Sequence, residues 1–154
     1  MSDFINTVDI IGDEALTNSI IDRSITEYKD NNVTSLGKFS FAYCKSLTTV
    51  DVPKVITIGS EPYYSASSVF YGCSALTKLI LRSTTMVTMI GSNSLGNTPI
   101  EINPKNGYIY VPRTLIEGGY KTAKNWSTYA NQFRALEDYT VDGTITGALD
   151  ESKI

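Results

Sequence analysis

Histidine is absent from all 154 residues. That absence removes the commonest general base, the usual triad base and the most frequent metal ligand together. Long hydrophobic runs are missing too. No stretch approaches the ~18 apolar residues that a membrane span needs, so membrane insertion is not expected. The start, Met1-Ser2-Asp3-Phe4-Ile5-Asn6, lacks a basic segment followed by a continuous apolar one, so a cytosolic beginning without a secretory leader is expected. Basic residues are outnumbered: the net charge is −3 and the isoelectric point near 4.9. Phosphate binding needs a basic patch, so nucleic acid is excluded as the expected partner.

Catalytic constellations are equally scarce. Carboxylates occur as neighbours at Asp13-Glu14, Glu137-Asp138 and Asp150-Glu151, but adjacent residues point apart on a helix or strand. Gly118-Gly119 lacks the Lys-Ser/Thr that completes a phosphate-binding loop. No catalytic, cofactor or metal residues are therefore assigned, and the chain is not expected to be an enzyme. Only two cysteines are present. Cytosolic thiols stay reduced, and free cysteine packs as a small hydrophobe, so Cys44 and Cys73 are expected as buried thiols.

What is present is a sequence said twice. Val33-Thr34-Ser35-Leu36-Gly37 returns as Val55-Ile56-Thr57-Ile58-Gly59, offset by 22 residues. Phe41-Ala42-Tyr43-Cys44 returns as Phe70-Tyr71-Gly72-Cys73, and Leu47 to Val52 returns as Leu76 to Leu81, both offset by 29. A third, decayed copy runs through Val87-Thr88-Met89-Ile90-Gly91, with Leu95 in the Phe slot and Thr98 in the Cys slot, and its strand is Tyr108-Ile109-Tyr110-Val111. A repeat of about 20–29 residues with one short strand per copy predicts a leucine-rich-repeat solenoid. Such units bury their apolar faces only by stacking. Gly37 and Gly59, at the bend after each first run, are expected at positive φ, and Phe41, Phe70, Cys44 and Cys73 are expected to form internal ladders.

The fold expected is therefore α+β: about three repeats over residues 33–112, between an N-terminal arm and cap (1–32), a C-terminal cap (113–138) and a C-terminal arm (139–154). Asp13, Glu14, Leu16, Ile20 and Ile21 predict a helix over 12–22. Residues 24–29 alternate as a strand with Ile25 inward, and Asp30-Asn31-Asn32 reads as a turn. Leu115, Ile116, Tyr120, Trp126, Tyr129, Phe133 and Leu136 predict two short capping helices, and Asp142-Gly143 predicts a hairpin turn.

The Ile-Gly, Phe-x-x-Cys and Leu-Thr-x-Val-x-Val-Pro pattern resembles the BspA-type bacterial leucine-rich repeats over residues 33–112. Asp22 to Tyr28, Tyr110-Val111-Pro112, Tyr120 to Ala130 and Thr144 to Ile154 are similar to small leucine-rich-repeat proteins encoded among structural genes of phages and prophages of gut bacteria. That resemblance implies a virion component, either a capsid-surface decoration or a tail or baseplate protein. Its partners would be other virion proteins, sister subunits, or a host-surface protein or glycan. A BspA-like adhesin or secreted binding module is the alternative, and a cytosolic scaffold for a peptide partner is a third.

Contact residues follow from strand alternation. With Val50, Val52, Leu79, Leu81, Ile109 and Val111 inward, the outward rows read Thr49–Lys78–Tyr108 and Asp51–Ile80–Tyr110. Asp51, Ile80, Tyr108 and Tyr110 are candidate contact residues, because an exposed Ile80 beside Tyr110 would form an apolar patch; the alternative is that the terminal arm, or Trp126 and its neighbours, covers them. Tyr63 and Tyr64 in the inserted loop are further candidates. Phe4, Ile5, Val8 and Ile10, together with Ile154 at the other end, are candidate anchors for terminal arms that are both net acidic.

Overall fold

A computed structural model describes residues 23–59 and 67–154. The expected helix over 12–22, the anchor residues Phe4, Ile5, Val8 and Ile10, and the loop residues Tyr63 and Tyr64 lie outside the described residues.

Strands of two to four residues cannot persist alone in water; they form here because each finds the same strand of the next coil beside it. The principal sheet holds β1 (Glu27–Lys29), β3 (Thr49–Asp51), β5 (Lys78–Ile80), β7 (Tyr108–Val111) and β8 (Phe133–Ala135), in that spatial order. All neighbours are parallel, with Tyr28 beside Val50, Val50 beside Leu79, Leu79 beside Ile109 and Ile109 beside Phe133. A second parallel sheet of β2 (Ser35–Leu36), β4 (Thr57–Ile58) and β6 (Thr88–Met89) forms the opposite wall. One coil thus runs from principal strand to second strand, through a tight corner, and back.

The corner has a hydrogen-bond ladder of its own. Phe41 N donates to Val69 O and Phe70 N to Ser94 O, both at 2.9 Å. Ala42, Cys44 and Leu47 amides each bond back three residues, so the Phe-x-x-Cys segment is a string of tight turns. Gly59 has φ +101°, and a Cβ there would lie 2.6 Å from Ile90 O, which requires glycine. Gly37 does not have positive φ; Phe39 does, at 64°. The left-handed step therefore falls two residues later than the sequence places it.

Between the walls, equivalent residues stack as the repeat demands. Phe41 and Phe70 stack with centroids 5.5 Å apart, Tyr28 adds a tilted ring 4.8 Å from Phe41, and Leu36, Ile58 and Met89 line the second wall. Cys44 and Cys73 are buried and not joined by a disulfide. Cys73 Sγ donates to Phe41 O at 3.0 Å. The neighbouring Cys44 sulfur, reinforced by burial, pushes the Cys73 thiol pKa up. Tyr28 OH donates to Asp30 Oδ2 at 2.9 Å, while Asp30 Oδ1 accepts the Asn32 and Val33 amides and makes the expected turn.

The C-terminal region departs from the sequence reading. No α-helix forms among the described residues; 113–132 hold only short 3-10 and π-helical segments, Arg113–Leu115, Ile116–Tyr120 and Ser127–Gln132. Phe133–Ala135, expected in a helix, becomes β8 and adds a row to the sheet. The reason lies at the open end of the second sheet, where β6 has no following strand. Side chains replace it. Val87 N donates to Tyr120 OH, Trp126 Nε1 donates to Val87 O, and Asn125 Nδ2 donates to Met89 O, each at 2.8 Å. Tyr120, Trp126 and Phe133 pack together at 5.2–6.0 Å. This blocks the strand edge with side chains that a helix would have pointed elsewhere.

Candidate protein-contact face

The outward rows of the principal sheet have the expected register. Thr49, Lys78 and Tyr108 lie side by side, as do Asp51, Ile80 and Tyr110. The expected open apolar patch is not there: Ile80 is 0% and Tyr110 3% exposed. Leu136, Tyr139, Ile145 and Leu149 of the C-terminal segment pack over them. The correction has a simple cause. Each large apolar side chain removed from water contributes about 1.5–3 kcal/mol, and the chain's own arm is close enough to supply the cover.

The arm is shaped for that task. Thr140 pairs antiparallel with Leu149, Val141 N donates to Ala148 O at 2.9 Å, and Asp150 N donates to Tyr139 O at 2.7 Å. Gly143 turns the hairpin at φ +77° beside Asp142, whose Oδ1 accepts the Thr144 amide and hydroxyl. Those bonds hold the Asp142 carboxyl below its usual range, and equivalent bonds from Ser152 do the same for Asp150. Tyr139 meets Tyr110 edge-on at 5.2 Å. Burial, then Tyr139, pushes the Tyr110 hydroxyl up to about 12.

One basic residue joins arm to sheet. Arg82 makes two 2.9 Å bonds to the Asp51 carboxylate and donates from Nη1 to Ile145 O at 2.9 Å and Gly147 O at 2.7 Å. A rigid guanidinium fork suits this arrangement; a lysine could not reach all four acceptors. Lys78 adds an ion pair to Glu151 at 3.5 Å, and Arg134 lies 4.3 Å over the Tyr108 ring. Beside the crossing, Asp51, Lys54, Arg82, Thr146 and Gly147 border a groove of about 520 Å³. Asp51 and Tyr108 are thus engaged within the chain. Ile154, 40% exposed, follows the final turn Glu151–Lys153.

Sequence reading missed Arg82 and β8. Arg82 directly follows the buried Leu79-Ile80-Leu81 run, and a cation at the end of such a run is the one available signal. Phe133 and Ala135 alternate inward, a period too short to stand out. Among the described residues no three His, Cys, Asp or Glu side chains group as a metal would require, and no helix is long and apolar enough to cross a membrane.

Stacked parallel rows of short strands, joined by tight corners with a Phe and Cys ladder, are the structural form of the repeat read in the sequence. A family model described as BspA type leucine rich repeat region (6 copies) matches residues 2–103. The chain belongs to this family. No curated protein and no solved structure matches it. BspA-type repeats are non-enzymatic protein-interaction modules, and the stacked-strand face is the part of a solenoid suited to contact. The BspA-type match ends before β7 and β8, yet both strands continue the same sheet in register.

Proposed function

We propose that the chain is a non-enzymatic contact module that works as a closed knob, and that it serves in a phage particle as a capsid-surface decoration or a tail or baseplate component. The observation that carries the closed form is the burial of Ile80 and Tyr110 beneath the C-terminal hairpin. A repeat protein that recognises partners through an open sheet would leave that face exposed. Here the part of that face around Ile80 and Tyr110 is covered, so contact with other virion proteins or sister subunits falls to the corners, the N-terminal segment and the end around Ile154. Similarity of residues 22–28, 110–112, 120–130 and 144–154 to small repeat proteins of phage structural genes supports the particle setting.

A BspA-like adhesin or secreted binding module is the second reading, favoured by the match over residues 2–103. Mass spectrometry of purified particles and of the cell-surface fraction from the same culture separates the two. Chain-derived peptides at stoichiometric copy number in the particles support the virion reading. Peptides confined to the surface fraction overturn it in favour of the adhesin.

A further inference from the structure

Tyr43, Gly72 and Asn97 occupy the same corner slot in successive coils, and all three have left-handed backbones, with φ 62°, 79° and 57°. The slot demands that conformation. It aims the amide at the next coil, so that Tyr43 N donates to Tyr71 O at 2.7 Å and Gly72 N to Gly96 O at 3.0 Å. Glycine and asparagine adopt it readily; tyrosine does so only at a steric cost. A strained residue persists where something else requires it. Core packing is not that requirement, since Tyr43 is 57% exposed.

The ring is nevertheless held in place. It lies over Gly72, where a Cβ would come within 2.5 Å of it, and the Tyr71 ring lies over Gly96 in the same way, at 2.8 Å. The two rings meet edge-on with centroids 5.8 Å apart. From there a polar path continues. Asn97 Nδ2 donates to Tyr71 OH at 3.0 Å, and Asn97 N donates to Glu101 Oε1 at 2.8 Å. Glu101 borders a hollow of about 300 Å³ shared with Lys105, Thr128, Tyr129, Asn131 and Gln132. Gln132 is fixed at its base by donating to Lys105 O and Gly107 O, both at 2.9 Å.

We propose that this corner belt is a binding site for a neutral oligosaccharide. The electron-rich face of an aromatic ring attracts the C–H face of a pyranose. Carboxamide and carboxylate groups pair with adjacent hydroxyls, and Asn97, Glu101, Asn131 and Thr128 offer both donors and acceptors. Glu101 and Lys105 balance in charge, which disfavours an ionic ligand. Hydrogen-bonding groups of Asn97 and Glu101 flank the touching Tyr43–Tyr71 pair, a mixed aromatic and polar surface that fits a sugar chain better than the dry centre of a protein interface. The hollow has the size of a small-ligand pocket. The belt is separate from the arm-covered sheet and does not depend on what that sheet contacts.

The test is a glycan array probed with the full chain, followed by NMR titration with the best neutral hexasaccharide. Sulfated and sialylated glycans on the same array are the charge control. Binding to neutral glycans is expected, with shifts confined to the belt. Tyr43→Gly keeps the corner conformation while removing the ring, so it leaves the fold intact and weakens binding about tenfold or more. Asn131→Ala weakens it from the hollow side. No neutral-glycan binding at about 10 mM ligand, preference for charged glycans, or affinity unchanged in Tyr43→Gly overturns the assignment. Loss of a protein partner in Tyr43→Gly, without any glycan effect, would reassign the belt to protein contact.

Discussion

Replacing Arg82 with methionine keeps much of the side-chain volume and removes every donor from the point where arm and sheet are joined. The Arg82 and Asp51 side chains are 10% and 15% exposed, so their two 2.9 Å bonds are shielded without being fully buried. Breaking a fully buried pair costs about 3–5 kcal/mol, because one charge is left without a partner. Some water reaches this pair, which places its share nearer 2 kcal/mol. The two carbonyl bonds to Ile145 and Gly147 add about 1 kcal/mol after the arm relaxes into water. A total of about 3 kcal/mol corresponds, for a chain of this size, to a fall in Tm of about 6–12 °C. Calorimetry measures that fall, and amide exchange at Val141 and Asp150 reports whether the hairpin loosens with it. Adding Asp51→Asn to Arg82→Met removes the stranded carboxylate and is expected to recover part of the loss, a coupling a double-mutant cycle resolves. A Tm within about 2 °C of the parent, with both amides equally protected, would show that Arg82 does not join the arm to the sheet.

Four other perturbations follow from the structure. Tyr110 and Tyr129 titrate near 12, and Tyr28 and Tyr120 are also raised, burial being the first cause each time. The unfolded chain releases these protons from about pH 10, so native stability is fully present below that value and declines as pH rises through 10 to 12; denaturation monitored across that window checks the slope. Asp142 and Asp150 shift the other way, so amide protection in 140–152, taken relative to the intrinsic exchange rate at each pH, is expected to fall as the pH drops below the ordinary aspartate range, ahead of protection in β3 and β5. Cys44 and Cys73 are buried and the Cys73 thiol is raised, so a thiol reagent is expected to label neither in native protein and both after denaturation. Finally, Phe70→Ala should cost about 3–5 kcal/mol, whereas Tyr43→Gly, which relieves a left-handed tyrosine, should leave stability equal or raise it by about 1 kcal/mol; chemical denaturation compares the two.

The legible part of the fold was the part that repeats. Phe41 and Phe70, Cys44 and Cys73, and the rows Thr49–Lys78–Tyr108 and Asp51–Ile80–Tyr110 align from the sequence alone, because equal phase in a solenoid means adjacency. The decayed copy was readable for the same reason: Leu95 and Thr98 are buried in the slots of Phe and Cys. What failed was whatever depends on a single long-range partner. Periodicity could not reveal that Tyr120, Asn125 and Trp126 would replace a missing strand, so aromatic residues at irregular spacing read as helices. Whether the arm covers Ile80 and Tyr110 stays open in the sequence, and Leu149 and Ile145 cannot be named as the cover, since neither the arm nor the sheet row carries a local sign of the other. The corner strain at Tyr43 is visible only when its backbone is compared with Gly72 and Asn97.

The most direct test concerns the closed sheet. Tyr110 and Tyr139 rings lie 5.2 Å apart, edge to face, which is close enough for a strong proton–proton Overhauser contact. In a sample where labelled chains are diluted in unlabelled ones, that contact can arise only within a single molecule. The arm folded over its own sheet gives an intramolecular Tyr110–Tyr139 contact that persists on dilution. Its absence, with the Tyr110 ring relaxed by a paramagnetic solvent probe as strongly as an exposed tyrosine, would contradict the closed knob.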